Sequence, residues 1–163
     1  MSRFSLKHLA DSTLDAAIES VAARDRMSTA DLLAHIAESD ARKRYVPAGY
    51  HSMFAYCQGK LRLCEHAAYK RVTVARAARR FPVIFEVIAD GRVHLSGMVL
   101  LVPHLTPETV DELIAAATHK TKAQIELMLA RRFPRPDVAT KIQPVAPEMS
   151  CELAPGRVGM TRS

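Results

Sequence analysis

Signals for β-structure are nearly missing from this sequence of 163 residues. No stretch alternates β-branched and polar residues over several positions, and no Asn-Gly or Asp-Gly pair separates two such stretches as a hairpin would require. Long apolar runs are missing too, because the longest, Met98 to Val102, is far too short to cross a membrane. The charged start, MSRFSLKHLADS, lacks the apolar segment of a secretory leader. We therefore expect an all-α protein that is cytoplasmic and has no membrane partner.

The residue patterns of common catalytic and metal sites are also absent. The six glycines never form a phosphate loop ahead of G-K-[ST], and no G-x-S-x-G elbow occurs. The seven histidines never stand as H-x-x-x-H and the three cysteines never as C-x-x-C, which predicts reduced thiols and no zinc ribbon. The one Cys/His cluster, formed by Cys57, Cys64 and His66, lacks a fourth ligand. We expect no catalytic residues, no metal and no cofactor, so the sequence argues against an enzyme that is complete in itself.

What the sequence does contain is a local excess of positive charge. Residues 1–44 hold seven basic and seven acidic side chains, 45–59 hold none, and 81–163 hold nine of each. Residues 60–80 hold seven basic side chains and only Glu65, so that 7 − 1 = +6, the net charge of the whole chain. An excess confined to one short stretch is a patch, and a patch predicts a polyanionic or acidic partner.

The same stretch has the outline of a helix-turn-helix. Ser52 is placed to cap a short helix over MFAYCQGKL, a turn follows at 62–64, and Glu65 to Arg80 form a longer basic helix. In helix-turn-helix proteins the second helix enters the DNA major groove. A solvated basic face on an ordinary bundle helix is the alternative, and spacing alone does not separate the two. The candidate nucleic-acid-binding residues lie on one helix face and in the preceding turn: Lys60, Arg62, His66, Lys70, Thr73, Arg76 and Arg80.

The rest of the basic helix is mainly small and apolar. Helical spacing places Tyr69 and Ala77 with the basic residues and six Ala and Val residues on the opposite side. Arg71 and Arg79 fall inside that apolar arc. Each of them must either find a buried partner or extend along its stem until the guanidinium reaches solvent.

Upstream of this pair, apolar residues predict one long helix over 12–44. They recur at helical intervals from Leu14 to Ile36, with Ser12 as the expected N-cap. A second helix could start at Ser28, but no Gly or Pro intervenes and we favour a single helix. Because nothing else in the chain offers a dimer surface, this helix is the candidate contact for a homodimer.

Downstream, short helices complete a predicted domain over residues 1–133. Each has a recognisable start or stop, such as the Asp-Gly left-handed cap after Ala89 or the capping box of Thr121 with Gln124. Residues 134–163 contain several prolines and no apolar periodicity, which predicts a disordered tail. The predicted helices are Val83–Ala89, Leu95–Leu101, a helix from Thr106 and Pro107 to Ala117, and one from Thr121 to Arg132.

The run SMFAYCQGKLRLCEHAAYKRVTVARAARRFPVIFEVIADG, residues 52–91, resembles the helical region upstream of the catalytic domain in a group of bacterial HNH endonucleases. In that group a Phe-Ala-Tyr-Cys helix precedes a Leu-Ser-Glu-x-Ala-Ala-Tyr turn and an Ala-Arg-x-Ala-Arg-Arg-Phe-Pro helix, and Cys64 here replaces the usual Ser. The similarity continues through VLLVPHLTPET and HKTKAQIELMLARRFPRPDV, and more faintly in LLAHIAESDARKRY. It covers roughly residues 15–138. The resemblance implies a helical module that engages or positions DNA.

The resemblance ends before any catalytic unit. LAPGR, residues 153–157, is similar to the segment that leads toward the HNH domain, but VGMTRS follows and matches nothing in the family. The chain contains no asparagine, so the central Asn of an HNH site is missing together with its metal-binding histidines. Nuclease activity is therefore not carried over, and the chain looks like the N-terminal part of such an enzyme, truncated ahead of the nuclease domain.

Taken together, these observations predict an irregular multi-helix domain with a helix-turn-helix-like pair at 52–80, acting as a DNA-binding accessory module. One rival is a stand-alone regulator of the helix-turn-helix type, which would need the long helix as a dimer surface. The other is a protein-interaction scaffold whose basic helix docks on an acidic partner. The two rivals differ in nucleic-acid binding: the regulator would bind DNA, whereas the scaffold would bind nucleic acid weakly or not at all.

Overall fold

The structure is a computed structural model that describes residues 4–134. Over that range the chain is all-helical and contains no strand, which confirms the predicted fold class. Most helices are short, and only the first exceeds 16 residues. In chain order they are α1 (Asp11–Ala41), α2 (Met53–Gly59), α3 (Glu65–Arg80), α4 (Val83–Ala89), α5 (Leu95–Leu101), a single 3-10 turn (Val102–His104), α6 (Val110–Ala117) and α7 (Lys122–Arg132).

Helix α1 is continuous over 31 residues, which confirms a single long helix. Its predicted N-cap was wrong, because the helix begins at Asp11 and places Ser12 inside the first turn. The flanking residue Ala10 has an extended backbone and no side chain to offer as a cap. The helix also ends earlier than predicted, since Lys43 adopts a positive φ of 51° and turns the chain away before Pro47 is reached.

The two halves of α1 have different surroundings. Burial starts at Ala30 and continues through Leu33 and Ile36, where α1 packs against α3 and α4. The first half extends beyond that contact, and Ile18 and Val21 remain 59% and 55% exposed. The apolar residues whose helical spacing predicted α1 are therefore buried only in the C-terminal third of the helix.

Helix α3 lies at the centre of the domain and packs against α1, α2, α4 and α5. All six of its buried residues are Ala or Val, and small side chains allow neighbouring helices to approach closely. Ala77, which the spacing placed on the basic face, is also buried at 6% exposure. The middle of α3 is consequently covered by other helices, and its exposed residues lie mainly toward its two ends. The buried residues of α3 are Ala68, Val72, Val74, Ala75, Ala77 and Ala78.

Several predicted boundaries are confirmed by hydrogen bonds. Ser52 Oγ accepts from the Ala55 amide at 3.0 Å, and Thr121 with Gln124 forms the complete capping box of α7. Helix α4 ends with Gly91 at a φ of +75°, as an Asp-Gly left-handed cap requires. Such caps each contribute about 1 kcal/mol, so they fix ends without creating the fold.

The predicted start of α6 was wrong. Thr106 caps a turn, in which its Oγ1 and the Thr109 Oγ1 bond each other's backbone amides, and the regular helix begins only at Val110. Pro107 thus lies inside this turn. The expected tail begins at residue 134, and its remainder, 135–163, lies outside the described residues.

None of the helices between residues 4 and 134 is both long enough and apolar enough to span a bilayer.

Candidate nucleic-acid interface

Five of the seven predicted nucleic-acid-binding residues fall into two groups at opposite ends of α3. Lys60, Arg62 and His66 are exposed at the α2–α3 turn, whereas Arg76 and Arg80 are exposed at the C-terminal end. At about 1.5 Å of rise per residue, the two ends of this helix lie roughly 20 Å apart. Between them, Lys70 and Thr73 are half-buried. The structure therefore does not bring the seven residues together as one continuous basic face.

The turn before α3 is held by backbone hydrogen bonds. The Lys60 amide donates to Tyr56 O at 2.8 Å and the Leu63 amide to Cys57 O at 3.1 Å. Arg62, between them, takes a left-handed φ of 57°, which costs energy for a residue with a Cβ. The turn therefore presents Lys60 and Arg62 to solvent from a fixed backbone.

Lys70 is bonded within the protein and is not free on the surface. Its Nζ donates to Ser96 Oγ on α5 at 2.8 Å. The same two residues line a depression of about 260 Å³ with His66 and the 56% exposed Tyr69. A phosphate contact by Lys70 would therefore compete with the bond to Ser96.

Arg76 forms the best-defined ion pair of the domain. Its Nε lies 2.7 Å from Asp40 Oδ2 and one terminal nitrogen 3.2 Å from Oδ1, so that the guanidinium meets the α1 carboxylate with two bonds. The hydrogen bond to Asp40 raises the pKa of Arg76 further above its already high value. The pair ties the C-terminal half of α3 to the end of α1.

A second acidic residue of α1 lies between two arginines. Glu38 pairs with Arg42, the residue that directly follows α1, and its other oxygen lies 3.4 Å from a terminal nitrogen of Arg79 on α3. The Arg42 hydrogen bond and the two positive charges lower the pKa of Glu38. Arg79 also approaches Ala37 O at 3.5 Å and remains 54% exposed in its side chain. It thus extends out of the apolar arc, one of the two outcomes that its position allowed.

These contacts identify basic residues that the charge count did not single out. Arg42, Lys43 and Arg44 follow α1 directly and are exposed, with the Arg44 amide bonded back to Ser39 O at 3.0 Å. They were missed because residues 1–44 are neutral in total, although their acidic members lie mostly in the first half of α1. We call the cluster at which the ends of α1 and α3 meet the basic corner, defined by Arg42, Lys43, Arg44, Arg76, Arg79 and Arg80.

The basic corner keeps a positive charge after its internal pairs are counted. Its six cations surround two carboxylates, so that 6 − 2 = +4. Arg80 makes no ion pair within the described residues, and its Cζ lies 5.2 Å from the centre of the Phe81 ring, within cation–π range. Arg42, Arg76, Arg79 and Arg80 therefore contact a carboxylate or a ring, while Lys43 and Arg44 are exposed without a carboxylate partner within the described residues.

Arg71, the other arginine of the apolar arc, behaves differently. It is half-buried, its terminal nitrogen lies 3.4 Å from Ala67 O, and its Nε is buried without a hydrogen-bond partner. Within residues 4–134 it pairs with no carboxylate, and it does not extend fully into solvent.

Within residues 4–134, no group of three His, Cys, Asp or Glu side chains is placed to hold a metal ion. Cys57 is fully buried in the core, where burial raises the pKa of its thiol. Cys64 is the N-cap residue of α3 but makes no side-chain cap bond, and His66 is exposed beside it. Cys151 lies outside the described residues.

Comparison with known proteins gives no relative for this chain: no family model matches it, and neither the curated proteins nor the solved structures contain a match. The resemblance to the helical region of HNH endonucleases stays a prediction.

Proposed function

We propose that this protein binds duplex DNA through the basic corner, mainly by contacts to backbone phosphates. The observation that supports the proposal is the local charge of +4 at a corner where four of the six exposed cations contact a neighbouring carboxylate or ring. Arginines held in place lose less conformational entropy when they bind, and guanidinium groups suit phosphate oxygens. The covered middle of α3 favours contacts from a helix end over insertion of the whole helix into a groove.

A salt titration tests the proposal. If four phosphates are neutralised, the logarithm of affinity falls against the logarithm of salt concentration with a slope of about −3.6, at about 0.9 per phosphate. Fluorescence anisotropy on a labelled duplex of random sequence gives this slope directly. Absence of salt-dependent binding would show that the proposal is wrong.

Substitutions locate the contact. Lys43, Arg44 and Arg80 have no carboxylate partner within the described residues, so their joint replacement by Gln leaves the internal ion pairs intact. We expect this triple variant to flatten the slope by about 2.7 on every duplex sequence. The matched control replaces Lys7, Arg24 and Arg131, three exposed cations on other segments, and should leave the slope nearly unchanged. Equal losses in the two triple variants would assign the binding to overall charge and not to the corner.

The original candidates are tested in the same assay. Lys60→Gln with Arg62→Gln reports whether the α2–α3 turn also contacts phosphate, and would flatten the slope by up to about 1.8. Thr73→Ala should change sequence preference only if α3 reads base edges, which its half-burial disfavours. Binding of an acidic protein together with failure to bind any duplex would support the scaffold alternative instead.

A further inference from the structure

A second group of arginines lies away from the basic corner, in a pocket between α1, α3 and the connection from α4 to α5. The pocket has a volume of about 310 Å³. Arg26 of α1 and Arg71 of α3 both line it, and both are half-buried. We call it the arginine pocket; its lining is Asp25, Arg26, Thr29, Arg71, Ile88, Gly91, Val93, His94 and Leu95.

The two arginines share an unusual feature. Within the described residues the Nε of each is buried and has no hydrogen-bond partner, although most buried polar atoms in folded proteins are bonded. Leaving a buried charged donor unbonded is unfavourable, and here the two arginines that carry such donors line one cavity. Neither forms an ion pair within residues 4–134, so a negatively charged group in the cavity would have two cations to pair with.

The pocket holds Arg26 closely. Gly91 has a φ of +75°, and a Cβ built there would lie 2.7 Å from both Cδ and Nε of Arg26. The Arg26 stem therefore lies directly against the Gly91 backbone, in the space that the side chain of any other residue at position 91 would occupy. This contact fixes the guanidinium on the pocket wall before any ligand arrives.

The remaining lining residues define what the ligand must look like. Ile88, Val93 and Leu95 supply an apolar wall, while Thr29 adds a hydroxyl. His94 Nδ1 accepts the Gly97 amide at 3.0 Å, so the ring carries its proton on Nε2 when neutral and can donate it. Asp25 is the one carboxylate of the lining, and it makes no ion pair with either arginine within the described residues.

We infer that the arginine pocket binds a small organic anion, namely a phosphate or carboxylate group attached to a compact apolar body. The anionic group pairs with the guanidinium groups of Arg26 and Arg71, and the apolar body packs on the wall of Ile88, Val93 and Leu95. This site is separate from the proposed DNA contact, since Arg71 lies outside the basic corner and neither arginine pairs with Glu38 or Asp40.

Side-chain NMR on the intact protein tests the inference. The Nε–Hε signals of Arg26 and Arg71 should move together and saturate during titration with phenyl phosphate, because each guanidinium gains an anionic partner. Inorganic phosphate, which lacks the apolar body, should bind more weakly, and benzoate shows whether a carboxylate serves as well. No movement of these signals at tens of millimolar of any of the three probes would overturn the inference.

Substitutions sharpen the test. Arg26→Gln and Arg71→Gln should each weaken phenyl phosphate binding by about tenfold or more, since each removes a charge-assisted donor. Asp25→Asn should tighten it, because the substitution removes a repelling charge at the rim. Circular dichroism checks that each variant folds, and Arg26→Lys and Arg71→Lys, which retain charge and most of the stem, should still bind less well than the parent.

Arg92 provides the matched control. Within residues 4–134 its Nε is likewise buried without a hydrogen bond, although it lies 3.2 Å from Asp90 Oδ2, and it lines a neighbouring depression and not the arginine pocket. Arg92→Gln should leave phenyl phosphate binding unchanged. If it weakens binding as much as Arg71→Gln does, the anion responds to general positive charge and the assigned pocket is wrong. The basic-corner variants change a different site, so a loss of duplex binding in them should leave phenyl phosphate binding to the arginine pocket unchanged.

Discussion

The arginines of this protein divide into two groups that share a helix but not an environment. At the basic corner, Arg76 meets Asp40 with two hydrogen bonds and Arg79 approaches Glu38. In the arginine pocket, Arg71 from the same α3 and Arg26 from α1 have buried Nε atoms without a hydrogen-bond partner within the described residues. The α1 carboxylates that form ion pairs with α3 meet only its C-terminal half, and Asp25, which lines the pocket with Arg71, makes no ion pair with it. Arginines of equal formal charge on one helix thus differ in whether the charge is paired, and so in their effect on stability.

The largest predicted effect comes from breaking the contact that both groups share, the packing of α1 on α3. Leu33 is fully buried in the core, so Leu33→Ala should lower the free energy of unfolding by about 2–5 kcal/mol. Ile18→Ala, on the exposed first half of the same helix, should change it by less than about 0.5 kcal/mol. Urea unfolding followed by circular dichroism measures both. Similar losses in the two variants would mean that the first half of α1 is packed in solution.

A smaller effect separates the two ion pairs that join α1 to α3 at the basic corner. Arg76 is 60% exposed and Asp40 only 16%, and their geometry is that of a two-bond pair, so we expect a coupling of about 1 kcal/mol in a double-mutant cycle with Ala. The Glu38–Arg79 contact is longer and exposed on both sides, and its coupling should be weaker and disappear sooner as salt is added. A coupling for Glu38–Arg79 equal to that for Asp40–Arg76 would contradict this ranking.

Much of the fold followed from local patterns because local chemistry decides helix ends. Ser52, Thr121 with Gln124 and Gly91 all act where their spacing predicted, since each needs only residues within one turn of itself. The failures at Ser12 and Thr106 have the same origin. At both positions neighbouring residues offer alternative hydrogen bonds, and residue type alone does not predict which set is the more stable.

The candidate site was less predictable because it depends on contacts between distant residues. Counting charge along the chain assigned the whole excess to 60–80, yet Glu38 and Asp40 lie more than 30 positions from the arginines they neutralise. The same count concealed Arg42, Lys43 and Arg44 behind acidic residues elsewhere on α1. Arg71 was recognised as an arginine in an apolar arc, but nothing local indicated that Arg26 would line the same cavity.

The smallest predicted effect is the most specific, because the two groups of arginines should respond to the same substitution with opposite signs. Met retains the length of the Arg stem without the charge, so Arg76→Met loses the bonds to Asp40 and should destabilise the protein by about 1 kcal/mol. Arg71→Met removes a buried donor that has no partner, and in buffer free of small anions it should be neutral or stabilising by up to about 1 kcal/mol. Adding phenyl phosphate should then stabilise the parent and not Arg71→Met, since a ligand that binds only the folded state raises its stability. Thermal unfolding without phenyl phosphate measures the effect of each substitution on stability, and thermal unfolding with it measures the stabilisation by the ligand. Should Arg71→Met lose as much stability as Arg76→Met without any anion, the Arg71 guanidinium is fully satisfied in solution and the two groups are not different after all.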